Sequence, residues 1–144
     1  MTARRPLPLR VAAATLVAAA ALQLVPVKRT NPPVTFEVEA PADVKTILER
    51  SCYDCHSNRT RWPWYSRVAP VSWLVARDVQ RAREEMNFTE WPAFDFEEQE
   101  HLLEDIAKAV DRGKMPLPIY LTMHADARLD DAERQRLVRW ARGE

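Results

Sequence analysis

The chain has 144 residues, enough for one domain of ordinary size. Its 21 basic and 21 acidic residues balance, yet residues 1–30 hold Arg4, Arg5, Arg10, Lys28 and Arg29 and no acid, so residues 31–144 keep 16 basic against 21 acidic, a net of −5. That acidity argues against a nucleic-acid binder, two cysteines exclude a disulfide-rich scaffold, two glycines exclude Gly-rich phosphate loops, and an apolar fraction of 47% argues against disorder.

Residues 1–10 form a basic segment that contains prolines. Residues 11–27, VAAATLVAAAALQLVPV, are an apolar run without a charge. As a helix this run would extend about 25 Å, slightly short of a hydrocarbon core of about 30 Å. It is read as a transmembrane anchor; the alternative is a signal peptide cleaved at Ala19 and Ala21. The basic residues ahead of it favour an N-terminus in the cytoplasm, with the body outside the membrane. Residues 28–40 read as a linker: Asn31-Pro32-Pro33 cannot be helical, and Val34, Phe36 and Val38 alternate as in a short extended stretch.

Residues 41–144 form the body. Val44, Ile47, Leu48 and Ser51-Cys52 follow helical spacing from Pro41 on. Residues 56–70 are a loop, and Val71, Leu74, Val75, Val79, Ala82 and Met86 restore the helical period. After a loop over 87–96, Leu102, Leu103, Ile106, Ala107 and Val110 mark a third helix. Its acidic first turn, Glu97, Glu98 and Glu100, suits the helix dipole, and Gly113 sits where a C′ glycine belongs. Residues 114–128 are a loop. Asp130 and Glu133 make a capping box for a last helix faced by Leu137, Trp140 and Ala141. The fold class is therefore all-α, about four helices preceded by an N-terminal hydrophobic helix.

Cys52-Tyr53-Asp54-Cys55-His56 is C-x-x-C-H, the attachment motif of c-type haem. Two residues between the thiols let one turn of chain bridge the two vinyl groups of a porphyrin, and the next residue, His56, is placed to ligate the iron. One haem c, attached through Cys52 and Cys55, is the expected cofactor. Haem c is attached outside the cytoplasm, so the N-terminal run and the motif support each other. Zinc would need a further close pair of ligands where only His101 and His124 remain, and a thioredoxin-like dithiol would need a βαβ context. A structural disulfide is the third rival.

Lys114-Met115-Pro116 offers the distal ligand: a thioether in an extended loop beside a proline, of the kind that raises the potential of electron-carrying cytochromes. His124 is the alternative, ahead of Met123, and an open or water-bound iron is the remaining case. Trp62, Trp64, Tyr65 and Trp73 are suited to wall a haem. Arg59, Arg61 and Arg67 are suited to neutralise its propionates, against the plainer reading of solvated surface charges. Asn58-Arg59-Thr60 and Asn87-Phe88-Thr89 fit the N-glycosylation pattern and are read as accidental.

On NPPV (31–34), CYDCHSNRTRWPWYSRVAPVSWLV (52–75), NFTEW (87–91), GKMP (113–116) and Tyr120 with His124, residues 31–142 resemble the small exported haem-binding domain family of bacteria, a cytochrome-c-like group. The resemblance implies a covalent haem, a cytochrome-c-like helical bundle around it, and a Met-Pro distal ligand at Met115-Pro116. The expected function is a monohaem electron carrier, not an enzyme, with redox proteins and the membrane as partners and no nucleic acid. A gas or redox sensor or a small peroxidase-like module with a displaceable sixth ligand is the alternative. A thiol-redox or structural membrane protein without haem is the third class.

Overall fold

The computed structural model describes residues 7–144. It is helical throughout: α1 (Leu7–Leu22), α2 (Ala42–Ser51), α3 (Tyr53–His56), α4 (Val71–Glu85), α5 (Phe96–Asp111), α6 (Pro118–Leu121) and α7 (Asp131–Ala141). Short 3-10 turns occupy Trp64–Arg67, Trp91–Ala93 and Ala125–Ala127. Among the described residues there is no strand, only an isolated parallel bridge between Phe36 and Glu90. The alternating stretch at Val34–Val38 makes that bridge: Phe36 donates to the Thr89 carbonyl and Val38 to the Phe88 carbonyl, at 3.3 and 2.8 Å.

The chain divides into two compact units. One comprises residues up to Arg29 together with Trp62–Asp78; the other comprises Thr30–Arg61 and Val79–Glu144. Helix α4 contributes its first half to the first unit and its second half to the other.

In the first unit the apolar run does not form one helix over 11–27. Helix α1 begins at Leu7 and stops at Leu22, so its 16 residues extend about 24 Å. The backbone then turns through Gln23, Leu24 and Val25, because Pro26 disfavours helix in the residue before it. Among the described residues no helix is long and apolar enough to cross a membrane. Arg4 and Arg5, from the basic segment at 1–10, lie outside the described residues. Gln23 ties the end of α1 to Ala69, donating to its carbonyl (3.3 Å) and accepting from its N–H (3.0 Å), while Arg29 donates to the Ser66 carbonyl at 3.0 Å.

The second unit holds the hydrophobic core. Pro41 starts α2, whose one face, Val44, Ile47, Leu48 and Ser51, is buried. Helix α5 packs along α7, and α2 against α7. Leu48, Phe88, Ala107, Val110 and Leu137 are among the most deeply buried members of the cluster. The expected caps are present. Asp130 accepts from the Glu133 N–H at 2.8 Å while Glu133 accepts from the Asp130 N–H at 3.1 Å. Asp95 and Glu98 make an equivalent box at the start of α5, which the acidic run had concealed. Both glycines of the chain stand just past a helix, Gly113 at φ 64° and Gly143 at φ 73°. In each case the next two N–H groups return to the helix: Gly113 to the Val110 carbonyl and Lys114 to that of Ala109, Gly143 to Trp140 and Glu144 to Arg139. The face expected from Val71 to Met86 is buried at Val79 and Met86, whereas Val71 and Leu74, in the half of α4 assigned to the first unit, are exposed.

Candidate haem site

The motif sits at a break between two helices. Cys52 ends α2, donating to the Leu48 carbonyl at 2.8 Å, and its φ of −126° turns the chain before one further turn, α3. Its carbonyl then accepts from both Cys55 (3.1 Å) and His56 (3.0 Å), so the two cysteines and the histidine lie on one closed turn. Neither Cys52 nor Cys55 forms a disulfide.

The imidazole of His56 is held at one end. Its Nδ1 lies 3.1 Å from the Ala82 carbonyl and 3.3 Å from that of Met86, at the end of α4. Carbonyl oxygens only accept, so Nδ1 carries the proton and Nε2 presents its lone pair. Burial lowers the His56 pKa, which keeps the ring neutral, the form that ligates a metal. A metal-binding histidine is oriented in this way by the hydrogen bond at its other nitrogen. The backbone is held as well: Phe88 donates to the His56 carbonyl at 2.9 Å, and its ring meets the imidazole edge-on at 6.4 Å.

A buried polar network fixes the chain that follows. Asn58 donates through Nδ2 to Glu90 Oε1 (2.8 Å) and to the Pro33 carbonyl (3.1 Å), and Asn87 Nδ2 donates to Asn58 Oδ1 at 2.8 Å. Thr89 completes it, accepting from the Asn58 N–H at 2.8 Å and donating to Asn87 Oδ1 at 2.8 Å. Asn58 and Asn87 are only 3% and 2% exposed. Both asparagines of the glycosylation-like triplets are thus interior residues whose amide nitrogens are committed to hydrogen bonds. The sequence shows these residues as a loop, because single polar positions paired across about thirty residues leave no periodic trace.

Asp54, inside the motif, accepts from the Arg61 N–H (3.0 Å), from Arg61 Nε (3.1 Å) and from the Tyr120 hydroxyl (2.8 Å). Tyr120 stacks on His124, with ring centroids 4.1 Å apart and planes 8° from parallel. Burial, and then the hydrogen bond to Asp54, raise the Tyr120 pKa, so the phenol stays protonated as the donor. The motif and α6, which follows Met115, are therefore joined by a direct side-chain bond. Met115 itself is half-buried and donates its N–H to the Ala109 carbonyl at 3.2 Å, immediately after the helix stop at Gly113. Met123 is exposed.

Arg59 pairs with Glu37 at 2.6 Å and Arg61 with Asp54, so both arginines already face carboxylates of this chain. Trp62, Trp64 and Tyr65 belong to the first unit, where Trp64, 70% exposed, meets Tyr65 edge-on at 5.8 Å. Cys52, Cys55, His56, Met115 and His124 belong to the second. His101 is exposed, as expected of a surface residue.

The rival thiol and metal readings find little here. Burial pushes the Cys52 thiol up to about 12, the opposite of the low value that makes a reactive dithiol. Among the described residues no group of three or more His, Cys, Asp or Glu could hold a metal ion. What remains is a pair of thiols on one turn beside a neutral imidazole with Nε2 presented, a donor set that fits a covalently held haem. Such a turn in a helical chain marks a haem-binding class of protein. The chain matches the model of the haem-binding domain family over residues 17–143, and it belongs to that family. No curated protein and no solved structure matches it.

Proposed function

We propose that this haem-binding protein is a monohaem c-type electron carrier, with haem held through Cys52 and Cys55, His56 as the proximal ligand and Met115 as the distal one. The observation that carries the reading is the C-x-x-C turn followed by an imidazole whose Nδ1 is bonded to the Ala82 and Met86 carbonyls. Cys52 and Cys55 would hold the group through thioether bonds, each thiol adding across a vinyl group with no net oxidation. The bound haem supplies a one-electron ferric–ferrous couple. The residues of this chain hold it, exclude water and set its potential; no bond to a substrate forms, so no catalytic residue is assigned. Because haem c is attached outside the cytoplasm, this reading has the body in the periplasm. Helix α1, uncharged from Val11 to its end and exposed from Pro8 on, is suited to lie against a membrane surface.

The test is the full chain made with a competent cytochrome maturation system. Haem staining that survives a denaturing gel, a low-spin spectrum in both oxidation states and inertness of the ferrous form to carbon monoxide are expected. Absence of covalent haem overturns the c-type assignment. A high-spin spectrum shifted by carbon monoxide overturns the closed carrier in favour of a sensor or peroxidase-like module.

A further inference from the structure

One half-buried cation lies beside the backbone that holds the His56 ring. Arg83 lies on α4 between Ala82 and Met86, the two residues whose carbonyls hold the His56 ring. Its guanidinium donates in four directions: Nε to the Ser57 carbonyl (2.8 Å), Nη2 to Thr60 Oγ1 (2.7 Å) and to Asn31 Oδ1 (3.2 Å), and Nη1 to the Thr30 carbonyl (2.9 Å). Four of its five N–H donors are thus spent on neutral oxygens, none on a carboxylate. No carboxylate touches the charge, and Glu90 acts on it only through space. It is fixed at the Ser57 carbonyl, one residue beyond His56, and the half-burial of Arg83 weakens solvent screening of it. Burial pulls the Arg83 pKa down from its ordinary value, yet a guanidinium stays protonated at any physiological pH.

On the reading that His56 ligates haem iron, we propose that Arg83 is a positioning residue that also sets the reduction potential. Its four-way clamp holds the 57–60 segment behind the proximal ligand, and its fixed positive charge favours the ferrous state, which carries one positive charge fewer. Lysine preserves the charge and loses the fork; glutamine keeps an amide donor and loses the charge.

The experiment is a spectroelectrochemical titration of the full, haem-loaded chain and its Arg83→Gln and Arg83→Lys variants. Arg83→Gln is expected to shift the ferric-to-ferrous ratio at a fixed ambient potential on the order of tenfold toward ferric, about 59 mV for a one-electron couple. Arg83→Lys is expected to keep most of the wild-type potential. A purely structural role would move both variants alike or neither. Arg83→Gln with haem bound and an unchanged ratio overturns the proposal, and so does Arg83→Lys shifted as far as Arg83→Gln. If Arg83→Gln does not accumulate folded, Asn31→Asp sets a carboxylate against the intact guanidinium; it must shift the ratio the same way, and no shift overturns the proposal. Wild-type protein without covalent haem would instead refute the underlying assignment, a result read on the gel before any titration.

Discussion

At the residue scale, the chemistry is concentrated in a few side chains whose neighbours decide what they can do. On the proposed reading His56 would ligate through Nε2, because two carbonyls hold the proton on Nδ1. Five adjacent letters announce the motif, but nothing in them announces Ala82 and Met86, whose contribution is backbone. Arg83, Asn58, Asn87 and Thr89 were equally hidden, since each acts through partners far along the chain. Met115 is the residue whose assignment a single substitution decides. Met115→Ala is expected to abolish the far-red absorption of a thioether bound to ferric iron and to lower the potential. If that band exists in the wild type and survives the change, the distal ligand lies elsewhere, with His124 the first alternative.

At the element scale, helix ends were legible and short turns were not. A cap is a local chemical pattern, so Asp130 with Glu133 and Gly113 could be read directly from their spacing. The four residues of α6 and the 3-10 turns are too short to show a period. The Asp95–Glu98 box was masked because its residues also satisfied a simpler dipole pattern. Gly113 stops α5 and launches the segment bearing Met115. A side chain there would meet only Arg134 Nη1 at 3.6 Å, an ordinary contact, so the cost of substitution is conformational. Gly113→Ala is expected to cost about 1 kcal/mol, measured by urea denaturation, and to perturb the distal-ligand band along with it.

The link from α2 to α7 makes a second prediction at this scale. Arg50 donates to Glu133 at 2.7 Å, and that hydrogen bond is the main reason the Glu133 carboxyl titrates below its ordinary value. A carboxylate with a depressed folded pKa stabilises the fold above its unfolded value of 4.5 and loses that contribution as pH falls through the folded one. Glutamine at an N3 position preserves the capping box, so Glu133→Gln isolates the charge. The variant is expected to be about 0.5–1 kcal/mol less stable at pH 7. The gap should narrow as pH falls below 4.5 and through the depressed folded value, and a gap independent of pH would refute the ion-pair account.

At the scale of the whole molecule, the all-α class and the haem-binding function followed from the sequence, because helical periodicity and C-x-x-C-H are both local signals. The partition into two units was not legible, since it interleaves distant stretches and divides α4 between them. The apolar run gave its helix but not the bounds of that helix, which reach back to Leu7 and end before Pro26. The acidic balance of residues 31–144 sets an expectation for encounter with redox partners. Electron exchange with a basic partner should slow as ionic strength rises from about 0.01 to 0.15 M, because the Debye length falls from about 30 to about 8 Å. Stopped-flow rates insensitive to salt would remove that expectation.

The interior placement of Asn58 and Asn87 bears on how the protein can be manufactured. Oligosaccharyl transfer in a yeast or mammalian secretory route acts on the nascent chain, when both triplets are still open. A sugar tree installed on either amide could not be accommodated where those nitrogens donate to Glu90, Pro33 and Asn58. Secretion from such a host should therefore yield a glycosylated, misfolded product that fails to mature, whereas a bacterial host should give the intact fold. Mass spectrometry of the two preparations would show the difference. Replacing the asparagines to evade the sugar would dismantle the same network, so removing the hydroxyl acceptor at Thr60, which loses one bond to Arg83, is the milder remedy at the first triplet.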